Sequence, residues 1–140
     1  MSGQQGGLDV GGEAPLVPEP LVLRAVLRGA RDRLAELGAF EARGATMLMI
    51  QVLRLDEFGA APRASAGLPK GRSEELVLRA RGEVREAGDL VFERELSRRT
   101  LVAASAGLDL DRDAALIRLG RDVGRALASA ALGLATPTEG

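Results

Sequence analysis

The chain is expected to fold as one α+β domain, an antiparallel (mixed possible) sheet of three to four strands with two helices packed on one face, in the order (β)αβββα. Three observations predict it. Residues 74–85 alternate apolar and polar side chains at a period of two, residues 21–37 and 109–132 repeat apolar side chains at helical spacing, and residues 45–55 are almost continuously apolar between turn formers. With 140 residues, 46% of them hydrophobic, the chain can fill one core, and a second domain is not expected.

Residues 1–20 hold five glycines and three prolines and read as a flexible tail, in which Leu8–Val10 offers one possible first strand. The domain is expected over 21–134, with 135–140 a disordered tail. In the first helix, 21–37, Leu23, Val26, Leu27, Ala30, Leu34 and Leu37 form the apolar stripe, and Arg24, Arg28, Arg31, Asp32 and Glu36 fall mostly outside it. Pro20 suits a first helical position and Gly38 a C-cap. The apolar run 45–55 suggests a strand covered on both faces or at the centre of a sheet, with a helix as the competing reading. Residues 59–72, rich in glycine and proline, are expected to form a long exposed loop carrying Arg63, Lys70 and Arg72.

Strand 74–85 is the surest element, with Leu76, Leu78, Ala80, Gly82 and Val84 on one face. A three-residue connection, Glu86-Ala87-Gly88, with Gly88 at positive φ, would join it to strand 89–101. That connection sets Arg85 opposite Asp89, Arg81 opposite Glu93, Arg79 opposite Glu95, Leu78 opposite Leu96, and Phe92 across Gly82. Asp109 or Asp111 would cap a second helix running to about Leu132. Its Gly120, Gly124 and Ala128 repeat a small residue every fourth position, which in a charged helix points to tight packing inside the domain before a dimer seam.

Composition narrows the chemistry. Without Cys, His, Trp or Tyr the chain lacks thiol nucleophiles, Ser/His triads, disulfides and a soft metal site, and neither a GxxxxGK[ST] nor a GxGxxG loop is present to hold a nucleotide. No metal, cofactor or catalytic activity is expected. The pairs Asp111/Asp113 and Glu74/Glu75 read as caps and solvated charges before acid/base machinery. A net charge of −1 gives no general nucleic-acid surface, and no apolar run reaches the 18 residues of a membrane span. Met1–Pro15 shows neither the basic nor the apolar region of a signal peptide, so with Met1 as the natural start the expected location is cytoplasmic.

LDV at 8–10, PEPLVLRAVLRGARDRLAELG at 18–38, ATMLMIQVLRL at 45–55, the pair EELVLRARGEV and GDLVFERELSRRT, and the terminal DRDAALIRLGRDVGRALASAAL together resemble the LPS-assembly lipoprotein LptE family. The resemblance spans some 125 residues and rests on classes of residue and element order. It implies a sheet backed by two helices, an LptD-type outer-membrane barrel as partner, lipopolysaccharide as ligand, and a place in the cell envelope at the periplasmic face of the outer membrane. It also implies ligand contacts at Lys70 and Arg72, in the loop between the second and third strands, and at Arg112, entering the last helix. Arg63 shares that loop without matching a family position closely. Guanidinium and ammonium groups on a loop suit the phosphates of lipid A. The family's lipidated N-terminal Cys and export signal have no counterpart in the chain as given. A phage-type structural subunit that forms rings or plugs, and an auxiliary lipoprotein of an envelope transporter, are the alternative functions.

Overall fold

Proline lacks the amide hydrogen that a first helical turn leaves unpaired anyway, and helix α1 (Pro20–Glu36) starts on Pro20 in the computed structural model. The structure describes residues 7–59, 64–65, 68–69, 72–104 and 109–133, with side chains over 7–58, 75–102 and 112–133. Strand β1 (Leu8–Glu13) precedes α1. After it come β2 (Thr46–Gly59), the two-residue strands β3 (Ala64–Ser65) and β4 (Leu68–Pro69), β5 (Arg72–Glu86), β6 (Asp89–Ala104) and helix α2 (Asp109–Ala131). The main sheet runs β1-β2-β5-β6, while β3 and β4 pair only with each other. The sheet is mixed, because β1 lies parallel to β2 and every other neighbour is antiparallel.

A parallel pair needs a long crossover, and α1 supplies it between β1 and β2. Gly38, at φ +69°, turns the chain out of the helix, and the next segment brackets β1: Leu8 donates to the Ala39 carbonyl at 2.8 Å, and the Leu8 carbonyl accepts from Glu41 at 2.9 Å. The open possibility of a first strand is therefore realised. Gly12, which weakens that strand on propensity, stands where an added Cβ would lie 2.6 Å from the Ile50 carbonyl oxygen.

Both helices cover one face of the sheet. Leu48, Ile50 and Val52 of β2 and Leu76, Leu78 and Ala80 of β5 point under them and meet Val22, Val26 and Leu34 of α1 and Leu116, Val123 and Leu127 of α2 in one core. The central position expected for 45–55 holds, but its cover is one-sided: Met49 on the far face is 40% exposed. The helices run in the same sense, with Glu19 beside Arg112 at one end and Glu36 beside Arg125 at the other. Between these ends they almost touch. A Cβ on Gly29 would overlap the Arg121 carbonyl oxygen, one on Gly124 would overlap that of Val26, and one on Gly120 would stand 2.7 Å from the Ala25 Cβ. The small-residue repeat thus serves packing inside the domain.

The hairpin corrects the expected register. Glu86 pairs with Asp89, and Ala87 (φ 51°) and Gly88 (φ 87°) form a two-residue turn with both central residues left-handed, in place of the three-residue connection. A bulge follows between Val84 and Arg85, so Phe92 faces Val84, Leu96 faces Ala80, and Arg85 faces Leu90. Relative to the expectation the strands have slid by one residue next to the turn and by two beyond the bulge. An even slip keeps every side chain on its own face, which is why the burial pattern agrees although the partners do not. The slip places Glu83 opposite Glu93, an unfavourable pair relieved by Arg81 and Arg85, each 3.5 Å from Glu83. Two of the three expected charge pairs persist as diagonals, Arg79 with Glu95 at 3.5 Å and Arg81 with Glu93, whereas Arg85 turns to Glu83 in place of Asp89.

Candidate functional site

Of the four basic residues marked for ligand contact, Arg63 and Lys70 lie outside the described residues, and Arg72 is placed by its backbone alone, opening β5 opposite Ala104. Arg112 is placed in full. A second bulge, between Val52 and Arg54 of β2, changes which residues face the helices: Leu55 and Glu57 turn toward them, while Arg54, Asp56 and Phe58 turn away. Glu57 thereby reaches Arg112 in the first turn of α2. Arg112 also donates to both carboxylate oxygens of Glu19, at 3.2 and 2.9 Å, and to Glu57 Oε1 at 3.2 Å. These hydrogen bonds, to Glu19 above all and then to Glu57, hold the Arg112 proton more tightly than usual. One guanidinium is matched by two carboxylates, an arrangement that fastens the starts of both helices to the end of β2 and leaves local charge negative toward a phosphate.

What the fold leaves open is the other side of the sheet and its β6 edge. The far face carries the Arg/Glu ladder, with the half-exposed Met47 and exposed Met49 at its centre beside Gly11. Among the described residues no strand pairs with the outer edge of β6, and Val91 and Leu101 on it are 54% and 69% exposed. A long unpaired edge with apolar side chains is a template for another strand unless charge or a bulge protects it. Here Arg94, Arg98 and Arg99 and the bulge near the turn do part of that work.

Arg24, Arg28 and Arg31, which lie outside the apolar stripe of α1, meet Arg121 of α2 around one groove. Their i, i+4, i+7 spacing was visible in the sequence; the contribution of α2 was not.

No family model matches the chain, and no curated protein matches it. Solved structures do. Protein XCC0632 from Xanthomonas campestris, of the DUF330 family, superposes with a TM-score of 0.58 at 13% identity, over 92% of this chain and 85% of that one. A candidate lipoprotein from Caulobacter crescentus gives 0.52 at 16% identity, over 89% and 90%. A single-substitution variant of the PelC dodecamer from Paraburkholderia phytofirmans gives 0.50 at 13% identity, over 88% and 89%. The fold is one that the candidate lipoprotein shares. At these identities the likeness is one of fold alone.

Proposed function

We propose that this protein is a non-catalytic binding subunit of the cell envelope, of the lipopolysaccharide-assembly kind, acting at the periplasmic face of the outer membrane. It docks on a barrel translocon of the LptD type and meets lipopolysaccharide through the 59–72 loop, where Arg63, Lys70 and Arg72 supply cations; Arg112, tied to Glu19 and Glu57, stays out of that contact. The observation that carries this reading is the one-sided build. Helices close one face of the sheet, while the other face and the β6 edge remain available to a partner, in a fold shared with a candidate lipoprotein.

The test is co-expression with an LptD-type barrel, followed by co-purification and lipopolysaccharide binding. Lys70→Glu with Arg72→Glu is expected to weaken lipopolysaccharide binding and leave the melting temperature nearly unchanged, because exposed charges add little to folding. Arg79→Glu on the ladder is expected to leave ligand binding intact. Equal losses from both changes would reduce the effect to net charge, and failure to co-purify would remove the barrel partner.

A second reading, a ring-forming subunit, is favoured by the exposed Val91 and Leu101 on β6 together with the PelC dodecamer's fold. It requires a self-assembled species in solution without any barrel, which light scattering after gel filtration detects.

A further inference from the structure

We infer that the groove between α1 and α2 on the side away from the sheet binds the phosphate headgroup of an anionic lipid. The groove has a volume of about 410 Å³, within the range of small-ligand sites. Leu21, Arg24, Arg28 and Arg31 line it from α1, spaced so that they share one face of the helix, and Ile117 and Arg121 line it from α2. Four arginines therefore line the groove beside apolar side chains, and Ile117 is 37% exposed there.

The charge balance singles these arginines out. Elsewhere two arginines beside the helix ends are closely matched: Arg125 donates to both oxygens of Glu36 at 2.9 Å, and Arg112 to both oxygens of Glu19. In the groove one carboxylate, Asp32, is shared at longer range by Arg28 (3.8 Å) and Arg121 (3.6 Å). Arg31 reaches only the Val10 carbonyl, at 3.4 Å, and Arg24 meets no carboxylate among the described residues. Four positive charges less those on Asp32 and on Asp9, whose carboxyl the backbone amides of Arg43 and Val10 and then the charge of Arg31 hold low, leave +2 in a chain whose net charge is −1. Planar guanidinium forks match phosphate oxygens, and their aliphatic stems, with Leu21 and Ile117, offer surface to the first carbons of a lipid chain. This site is separate from the 59–72 loop and stands whether or not that loop meets lipopolysaccharide.

Flotation with vesicles tests it. The protein is expected to bind vesicles of equal parts phosphatidylcholine and phosphatidylglycerol and not vesicles of phosphatidylcholine alone. Arg24→Gln with Arg28→Gln should weaken this binding about thirtyfold, from the typical contribution of a basic side chain at an anionic surface. Arg79→Gln with Arg99→Gln, the same charge change on the far face of the sheet, should alter it by no more than about twofold. Both double variants should melt as the parent does, since the changed side chains are exposed. Soluble probes separate lipid from free anion: dihexanoyl phosphatidic acid should bind more tightly than inorganic phosphate, and Ile117→Ser should narrow that gap. Equal losses from the two double variants, phosphate binding as tight as phosphatidic acid, or no binding to mixed vesicles would each overturn the inference. Because Lys70 and Arg72 are unchanged throughout, these outcomes are independent of the proposed lipopolysaccharide contact.

Discussion

Glycine shapes both the α1–α2 seam and the β5–β6 hairpin, and it does so for opposite reasons. In the seam Gly29 and Gly124 are ordinary helical residues whose missing side chain lets one backbone lie against another. At the hairpin Gly88 has nothing within 4 Å of where a Cβ would stand, and only its φ of +87° requires glycine. The seam is constrained by space and the turn by torsion. Substitutions should therefore cost much in the first region and little in the second, and the chemistry of the best replacement should differ.

The largest effect is expected from Gly124→Ala. On helix propensity alone the change would stabilise by about 1 kcal/mol. The new Cβ would overlap the Val26 carbonyl oxygen, however, and a backbone group cannot rotate aside. Forced separation of packed helices should outweigh the propensity gain and leave a net loss of about 2 kcal/mol or more. Gly120→Ala, whose Cβ would meet the Ala25 methyl group at 2.7 Å, should lose less. Urea unfolding of both variants checks the order, and a neutral Gly124→Ala would show that the seam has slack.

Arg112→Met comes next, at about 1 kcal/mol, because it leaves the partly exposed Glu19 and the exposed Glu57 facing each other without their shared donor. Adding Glu57→Gln should recover part of the loss. A variant as stable as the parent would mean that the three-residue bridge does not fasten the helix starts, and Arg112 would then be free for a ligand.

At the hairpin the observed turn and the three-residue connection expected from sequence make different predictions for Ala87. Since Ala87 has φ +51°, Ala87→Asn should stabilise by about 0.5 kcal/mol, asparagine tolerating that conformation better. In a three-residue connection Ala87 would be right-handed and the change would bring no gain. Gly88→Val should destabilise by about 1 kcal/mol in either case. Thermal melts of the two variants therefore test the turn type and the positive φ separately.

What could be read from the sequence follows the same division. Periodicity is a one-dimensional signal, and it located both helices and β5 with its buried face, while an unbroken apolar run marked β2 with a helix as the competing reading, and the turn before it marked β6. Register is a pairwise property. Opposite charges at Arg81 and Glu93 argued for direct opposition, yet guanidinium and carboxylate side chains are long enough to satisfy the same attraction diagonally, two residues away. Bulges add single residues and leave no mark in composition, so the turning of Glu57 toward Arg112 could not be foreseen. The basic groove was half legible: the α1 arginines announce a charged helix face, but which acids neutralise them depends on how α2 lies across α1. Arg112, chosen through a family resemblance, carries no sequence mark of the two carboxylates that surround it.

The smallest effect is expected at the far end of the seam, where Arg125 clasps Glu36. Hydrogen bonds from Arg125, and secondarily from Arg33, hold the Glu36 carboxyl down at about 2 from a usual 4.5. A carboxyl whose folded value is depressed stabilises the fold above its unfolded value and loses that contribution as pH falls through the folded one. The Glu36→Gln variant, unable to ionise, should therefore melt slightly below the parent at neutral pH, and the gap should close as pH falls from about 4.5 toward 2. Because Glu36 is exposed, solvent and salt screen the pair; the gap should be small at neutral pH and smaller still in molar salt. A gap that stays constant from neutral pH down to 2 would mean that Glu36 acts through packing of its stem on α2 and not through its charge, and the two ends of the seam would then differ in kind.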